Sequence, residues 1–314
     1  MKCFVTGAAG FIGSHLCRRL LAEGAEVVGI DSFTDYYPRP VKEARVATLA
    51  DQPGFTFVEG DVLTADLDEL ATGSDFIFHQ AAQAGVRASW GQTFKIYTNN
   101  NVLATQRMLE CARRVRPRKF VYASSSSVYG EGRERPTKEN DPKVPLSPYG
   151  VTKLAGEHLC HLYEHNFGVP TISLRYFTVY GPLGRPDMSI WKFTLAMLRG
   201  EELTVYGDGE QSRGFTYISD VVEANLLAAR SKLSDTAFNV GGASTVTVNQ
   251  LIRQIERILG KKARVRHEEF AKGDARHTEA DMSRTRKLLG LTARTPLSKG
   301  LPPTIQSIRD FYGL

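Results

Sequence analysis

The sequence predicts an α/β protein, a doubly wound parallel sheet that carries a smaller, irregular α/β lobe. Three observations point there. Short, nearly continuous apolar runs recur through the first half, as expected of strands covered on both faces. Helical patterns lie between most of them, the alternation that builds parallel sheets. After about residue 177 the rhythm changes to turn-rich pieces mixed with helices. Residues 1–177 are therefore expected to form the sheet domain and 178–314 mainly the second lobe, with later segments able to return to the first.

Taken in order, "KCFVTG" (2–7) reads as the first strand and "FIGSHLCRRLLAEG" (11–24) as the first helix, with Gly24 placed as its stop. The further strand candidates are "EVVGID" (26–31), "FTFVEGD" (55–61), "DFIFHQA" (75–81), "KFVYASS" (119–125) and "TISLRYF" (171–177). The densest basic run, "RRVRPRK" (113–119), closes a helical stretch that Pro117 ends, where cations are favoured at the helix C-terminus. The second lobe begins with the turns "YGPLGRPD" (180–187) and "YGDGEQSRG" (206–214) and includes the helix "TVNQLIRQIERILG" (247–260).

Hydrophobic content of 42% and charged content of 24% are ordinary globular values. Lys and Arg exceed Asp and Glu, 40 to 34, giving a net charge of +6. The basic run carries no interleaved aromatics, so nucleic acid is not the expected partner; a small polyanion suits the balance as well. There is no transmembrane-length apolar run and no basic-plus-apolar leader before the first strand, so a cytoplasmic protein without a membrane anchor is expected. The four cysteines, Cys3, Cys17, Cys111 and Cys160, lack metal or disulfide spacing and read as buried thiols.

"TGAAGFIG" (6–13) places Gly7, Gly10 and Gly13 as G-x-x-G-x-x-G, after a strand and at the opening of a helix. Such glycines permit a tight turn and close approach of a pyrophosphate, which then sits on the helix N-terminus. Asp31 ends the second strand, close to the offset of roughly 20 residues at which an acid meets the adenosine ribose. A carboxylate there accepts from ribose hydroxyls and repels a 2′-phosphate, which favours NAD over NADP. Asp61, after the third strand, either contacts the adenine or simply closes a turn.

In "SPYGVTK" (147–153), Ser147 is a good N-cap and Pro148 a good first helical residue. Tyr149 and Lys153 then share one helix face as i and i+4 neighbours. A nearby ammonium and the helix N-terminal field are expected to lower the phenol's pKa from about 10. Such a tyrosine exchanges a proton with an alcohol near neutral pH. The serine-rich "YASSSSVYG" (122–130) ends a strand at the carboxyl edge of the sheet, where a hydroxyl could assist; turn capping accounts for some of these serines.

Together with "HQAAQAGVRASW", "TNNNVLATQRMLE", "LRYFTVYGPLGRPDM", "YGDGEQSRGFTYISD" and "FNVGG", these residues resemble the extended short-chain dehydrogenase/reductase family, specifically its NAD-dependent sugar-nucleotide epimerases and dehydratases. The resemblance spans nearly the whole chain and implies a Rossmann-type sheet, a UDP-sugar substrate and a homodimer. It implies Tyr149 as acid/base, Lys153 as the residue that orients and charges it while holding the nicotinamide ribose, and Ser125 as the assisting hydroxyl. It implies a NAD site lined by Gly7, Gly10, Phe11, Ile12 and Gly13, by Asp31, Asp61, Val62, Ala81, Ala82 and Asn101, and by Tyr149, Lys153 and Tyr176. Substrate contacts are implied at Arg87, Ser125, Ser126, Thr178, Arg185, Arg213 and Asp274. The position before Gly273, a family proline, is Lys272 here.

Family dehydratases and decarboxylases carry acidic residues just before "VYG", where this chain has Ser126 and Ser127. That leaves oxidation and re-reduction at one carbon. "DSFTDYY" (31–37), "QAGVRASW" and "TVYGPLGRPDM" resemble the UDP-glucuronate 4-epimerases, with Arg185 gripping a sugar carboxylate. The alternatives are a UDP-glucose or UDP-N-acetylhexosamine 4-epimerase, then a UDP-glucuronate decarboxylase, a simple reductase or a non-catalytic NAD-sensing protein.

Overall fold

The computed structural model describes residues 1–132, 135–270, 273–292 and 295–314. The first half runs β1 (Lys2–Thr6), α1 (Phe11–Ala22), β2 (Glu26–Asp31), α2 (Arg39–Ala47), β3 (Phe55–Glu59), α3 (Leu67–Ala71), β4 (Phe76–His79), α4 (Phe94–Tyr97), α5 (Ala104–Val115), β5 (Lys119–Ser125), α6 (Pro148–Phe167) and β6 (Thr171–Tyr176). The six strand candidates of this half become β1 to β6. Gly24, at φ +77°, follows the end of α1 as the left-handed stop. Arg114 at the end of α5 pairs with Asp68, so the basic run is an ion-paired, half-exposed helix end.

The second half runs β7 (Val179–Tyr180), α7 (Ser189–Arg199), β8 (Glu202–Tyr206), β9 (Ser212–Tyr217), α8 (Ile218–Arg230), β10 (Thr236–Val240), β11 (Ser244–Thr247), α9 (Val248–Leu259), β12 (Arg264–Glu268), β13 (His277–Thr278), α10 (Ser283–Leu289) and α11 (Leu297–Tyr312). The central sheet has seven strands in the order β10-β6-β5-β4-β1-β2-β3, every pair parallel. β10 thus returns from the second half to close the edge beside β6, and α8 precedes it onto the sheet. One face of the sheet buries Leu16, Cys17 and Leu20 of α1 with Val221, Leu226 and Ala228 of α8. The other buries Leu67, Met108, Leu109 and Cys111 with Cys160 and Tyr163 of α6. All four cysteines are free and buried. β7, β9, β11 and β13 form a second sheet, and β8 pairs with β12.

Strand order reverses between β1 and β4, so the chain ends there part and open a crevice at the carboxyl edge. A π-helical turn at Thr98–Leu103 joins α4 to α5 and leaves Asn101 buried. α6 lies close on β5, because Gly156 carries no side chain: a Cβ there would sit 2.1 Å from the Tyr122 hydroxyl. Tyr122 is itself buried, so α6 would have to lift. Gly156→Ala is expected to cost about 1–3 kcal/mol by overpacking, read as a lower thermal midpoint. It should also lower turnover, because α6 carries Tyr149 and Lys153.

Candidate active site

A single cleft of about 630 Å³ runs along the carboxyl edge of the sheet and under the second lobe. At one end lies the glycine turn. Gly7 adopts φ +71° and donates its N–H to Ile30 O at 2.8 Å. A Cβ on Gly13 would lie 2.1 Å from Gly7 O, so the helix can start this close to the turn only with glycine there. No side chain caps α1, which leaves its first N–H groups for an anion. Gly10, Phe11, Ile12 and Gly13 line the cleft. This cradle fits the pyrophosphate of NAD.

Asp31 is held by its neighbours: Oδ2 accepts from Ala9 N–H at 3.1 Å and Oδ1 from Phe33 N–H at 2.9 Å. Burial pushes its carboxyl up, opposed by the Phe33 N–H and the Lys42 ammonium. Ala81, Ala82 and Tyr176 line the same end, with Tyr176 fixed by its hydroxyl on Gln80 and Asn225.

Three of the expected cofactor residues do not line the cleft. Asp61 Oδ1 accepts from Leu63 N–H at 2.9 Å and closes the turn after β3, while Val62 is buried among apolar neighbours. Asn101 spends its amide on protein: Oδ1 accepts from Gln83 N–H at 2.7 Å, and Nδ2 donates to Gln83 O and Thr152 Oγ1. It ties the loop after β4 to α6, so it shapes the wall of the cleft from behind.

The middle of the cleft holds the reactive groups. Ser147 Oγ caps α6 by accepting from Gly150 N–H at 3.2 Å, and Pro148 is the first helical residue. Tyr149, Lys153 and Ser125 all line the cleft. Tyr97 packs edge-on against the Tyr149 ring, centroids 6.2 Å apart. Ser125 Oγ also accepts from Ser127 N–H at 3.1 Å, so one hydroxyl caps the turn and faces the site.

Lys153 Nζ turns to the sheet and donates to Ala123 O at 2.8 Å. Burial pushes its pKa down to about 7, opposed by Cys160 and Glu157. Burial likewise raises the Tyr149 phenol, and the groups that pull it back are Ser125 and Arg185. Spacing put the lysine on the helix face of Tyr149, and this bond uses one of the three N–H donors of its ammonium.

The far end is cationic. Arg185 is packed over Tyr36, its guanidinium carbon 5.7 Å from the ring centroid. Its Nε and Nη2 donate to the two oxygens of Asp187 at 3.0 and 2.5 Å. The fork expected to hold a substrate carboxylate is therefore engaged, through Nε and Nη2, by a neighbour two residues on. Burial opposes ionisation of Asp187, but Arg185 outweighs it and holds the carboxyl low. Tyr36 also donates to Asp187. Arg87 donates to Asp274 at 2.7 Å and stacks on Tyr206. Arg213 donates to the carbonyls Ser212 O and Arg276 O, and burial lowers its pKa. Ser126 and Thr178 also line the cleft. Lys272 lies outside the described residues.

Lys42, Asp187 and Lys192 line the cleft as well, without having stood out as site residues. The signal for Lys42 was present: with Val41 and Arg45 it forms the buried face of α2. The cations of the cleft, Lys42, Arg87, Lys153, Arg185, Lys192 and Arg213, outnumber Asp31, Asp187 and Asp274, as a ligand with several negative charges requires.

A dinucleotide cradle at the switch point, with a tyrosine, lysine and serine beside it and a cationic second lobe, defines a nicotinamide-dependent enzyme acting on an anionic substrate. The chain belongs to the NAD dependent epimerase/dehydratase family, whose model matches residues 3–241. It is 45% identical to YtcB of Bacillus subtilis (strain 168), named as an uncharacterized UDP-glucose epimerase, over 99% of each chain. It is 38% identical to a UDP-glucuronate 4-epimerase of Thermodesulfobacterium geofontis (strain OPF15), covering 96% of this chain and 94% of that one. Among solved structures, a UDP-glucuronic acid 4-epimerase from Bacillus cereus, in complex with UDP-glucuronic acid and NAD, matches with a TM-score of 0.96 and 42% identity, over 99% of this chain and 100% of that one.

The buried lysine has a stability signature. With a folded pKa near 7 against about 10.4 unfolded, the unfolded chain binds more protons between these values, so stability rises with pH across that window. Below it the folded protein carries the full cost of a buried ammonium. Lys153→Met is therefore expected to gain more stability over wild type at pH 6 than at pH 10. Urea denaturation of both proteins across that range checks it; a difference independent of pH would show Lys153 to be ordinarily solvated.

Proposed function

We propose that this protein is an NAD-dependent UDP-sugar 4-epimerase that interconverts UDP-glucuronate and UDP-galacturonate. The observation that carries the reading is the placing of Tyr149 and Ser125 within reach of Arg185 in one cleft, on a chain that matches a UDP-glucuronate 4-epimerase over its full length. NAD, when bound, supplies a hydride acceptor at C4 of the sugar and then a donor. Gly7, Gly10, Gly13 and Asp31 would hold its pyrophosphate and adenosine ribose.

Tyr149 takes the proton of the C4 hydroxyl and later returns it. Ser125 and Arg185 are the groups that draw its phenol toward the ionised form. Ser125 also hydrogen-bonds the oxygen that loses and regains the proton. Lys153 holds the wall of the site at Ala123 and supplies a second titrating group. Arg213 and Arg87 grip the diphosphate end, and the pairing of Arg87 with Asp274 keeps that arginine in place. The nucleotide stays anchored while the sugar turns, which presents the opposite face of C4. Epimerisation rather than elimination or decarboxylation follows from Ser126 and Ser127, since neither can donate a carboxyl proton to an enolate.

Oxidation at C4 of a glucuronate makes a β-keto acid, which loses CO₂ when the C5–carboxylate bond aligns with the carbonyl π system. Arg185, which lines the cleft beside Asp187, would hold the carboxylate out of that alignment. A second reading, a UDP-glucose 4-epimerase, is favoured by two observations: the name of the Bacillus subtilis relative, and the engagement of Arg185 by Asp187. Incubation with UDP-glucuronate, UDP-glucose and UDP-N-acetylglucosamine in turn, with products separated by chromatography, decides between them. Turnover of UDP-glucose alone would replace the first reading with the second.

The reading includes a homodimer. Leu103 of the π-helical turn and Val151 and Leu162 of α6 are exposed apolar residues on packed helices, the kind of face a second copy covers. Four reduced thiols suit a cytoplasmic setting, and no described helix is long and apolar enough to cross a membrane.

Tyr149→Phe keeps the ring and removes the proton carrier. Turnover should fall roughly 10²–10⁴-fold with little change in substrate affinity, and steady-state kinetics with binding by calorimetry measure both. Arg185→Ala should weaken UDP-glucuronate use far more than UDP-glucose use and let more turnovers end in a UDP-pentose. Should the variant epimerise UDP-glucuronate as well as wild type does, the carboxylate does not meet Arg185.

A further inference from the structure

Arg45 lies on α2, fully buried and outside the cleft. A buried guanidinium without a carboxylate is costly unless every donor is used. Its partners are carbonyls and a phenol: Nε donates to Leu183 O at 2.9 Å, Nη2 to Gly184 O at 2.7 Å, and Nη1 to Ala9 O at 3.3 Å and Tyr37 Oη at 2.6 Å.

These partners belong to two different functional loops. The Ala9 carbonyl sits inside the glycine turn, and the N–H of the same residue donates to Asp31 Oδ2. Leu183 and Gly184 immediately precede Arg185. Leu183 holds a left-handed backbone, φ +52°, which a leucine does not adopt without support. The segment is pinned from other sides too, by Ser307 Oγ on Leu183 N–H and by the ring of His15 on Pro182 O. Arg45 ties it to the glycine turn at the Ala9 carbonyl. A planar fork reaches these four spread acceptors at once; a lysine's compact ammonium does not span them.

We propose that Arg45 is a positioning residue that joins the cofactor loop to the sugar loop, setting both the seat of the NAD pyrophosphate and the place of Arg185 at the sugar. This rests on the reading of Arg185 given above. Arg45 touches neither ligand and acts through the Ala9 and Gly184 peptides. Disturbing it loosens the two ends together and leaves the UDP grip of Arg87 and Arg213 alone.

The test is titration calorimetry on the full chain, wild type and Arg45→Lys, with NAD, and with UDP and UDP-glucuronate at saturating NAD. Arg45→Lys should bind NAD and UDP-glucuronate each about tenfold more weakly, the worth of one hydrogen bond to a charged group, with UDP unchanged. Added to Arg185→Ala, it should weaken UDP-glucuronate no further, because contacting residues do not act additively. NAD and UDP-glucuronate affinities within about twofold of wild type would overturn the proposal, the usual spread for unrelated surface changes being about that size. So would equal loss of UDP binding, or full additivity with Arg185→Ala, either of which marks a merely structural arginine. If Arg45→Lys lacks a cooperative thermal transition, Tyr37→Phe replaces it, removing one acceptor of the same guanidinium. Smaller losses of both affinities then support the clamp and unchanged affinities overturn it. Should wild type bind UDP-glucuronate no more tightly than UDP-glucose, the substrate reading falls, while the NAD titration still judges the clamp.

Discussion

A Cβ on Gly7 would sit 2.8 Å from the Ala81 nitrogen, and one on Gly13 would sit 2.1 Å from Gly7 O. The turn after β1, the start of α1 and the end of β4 therefore meet with no clearance for a methyl group. The rest of the site depends on that meeting. Strand order reverses there, so the crevice opens there, and the loop after β4 must pass over it. Asn101 then holds that loop to α6, and α6 delivers the tyrosine and lysine. Loosening the first contact would separate the cofactor end from the chemistry.

Much of the cleft is made of charge held away from water. Lys153 gives its ammonium to Ala123 O, Asp31 takes two backbone N–H groups, and Arg213 donates to carbonyls. Each such group is held by peptide dipoles rather than by a free counter-ion. Fixed dipoles need no rearrangement when a charged ligand arrives, which is what a preorganised site requires. The same burial is a stability cost, since it pushes the lysine's pKa down and the tyrosine's up. The large core on both faces of the sheet offsets it.

The sugar end is balanced differently. Arg185 and Asp187 form a half-buried, two-point pair beside Tyr36, so much of the arginine's charge is balanced within the protein.

The sequence by itself determined the fold class, the glycine turn and the gathering of Tyr149, Lys153 and Ser125 at one cleft. The reason is that these features are local: Gly7 to Gly13 lie in one turn, Tyr149 and Lys153 in one helical step, and six strands in apolar runs that the structure reproduces closely. Asp61 closes a turn, one of the two readings its position left open, and Asn101, expected at the cofactor from the resemblance alone, hydrogen-bonds Gln83 and Thr152 behind the cleft wall. The return of β10 to the central sheet was no more than allowed for by pattern. Only the tertiary structure decided what each charge touches: Lys153 on Ala123, Arg185 on Asp187, Arg45 across two loops. A guanidinium or ammonium selects its partners by burial and by distant segments packed against it, and no spacing along the chain encodes which carbonyl or carboxylate arrives there.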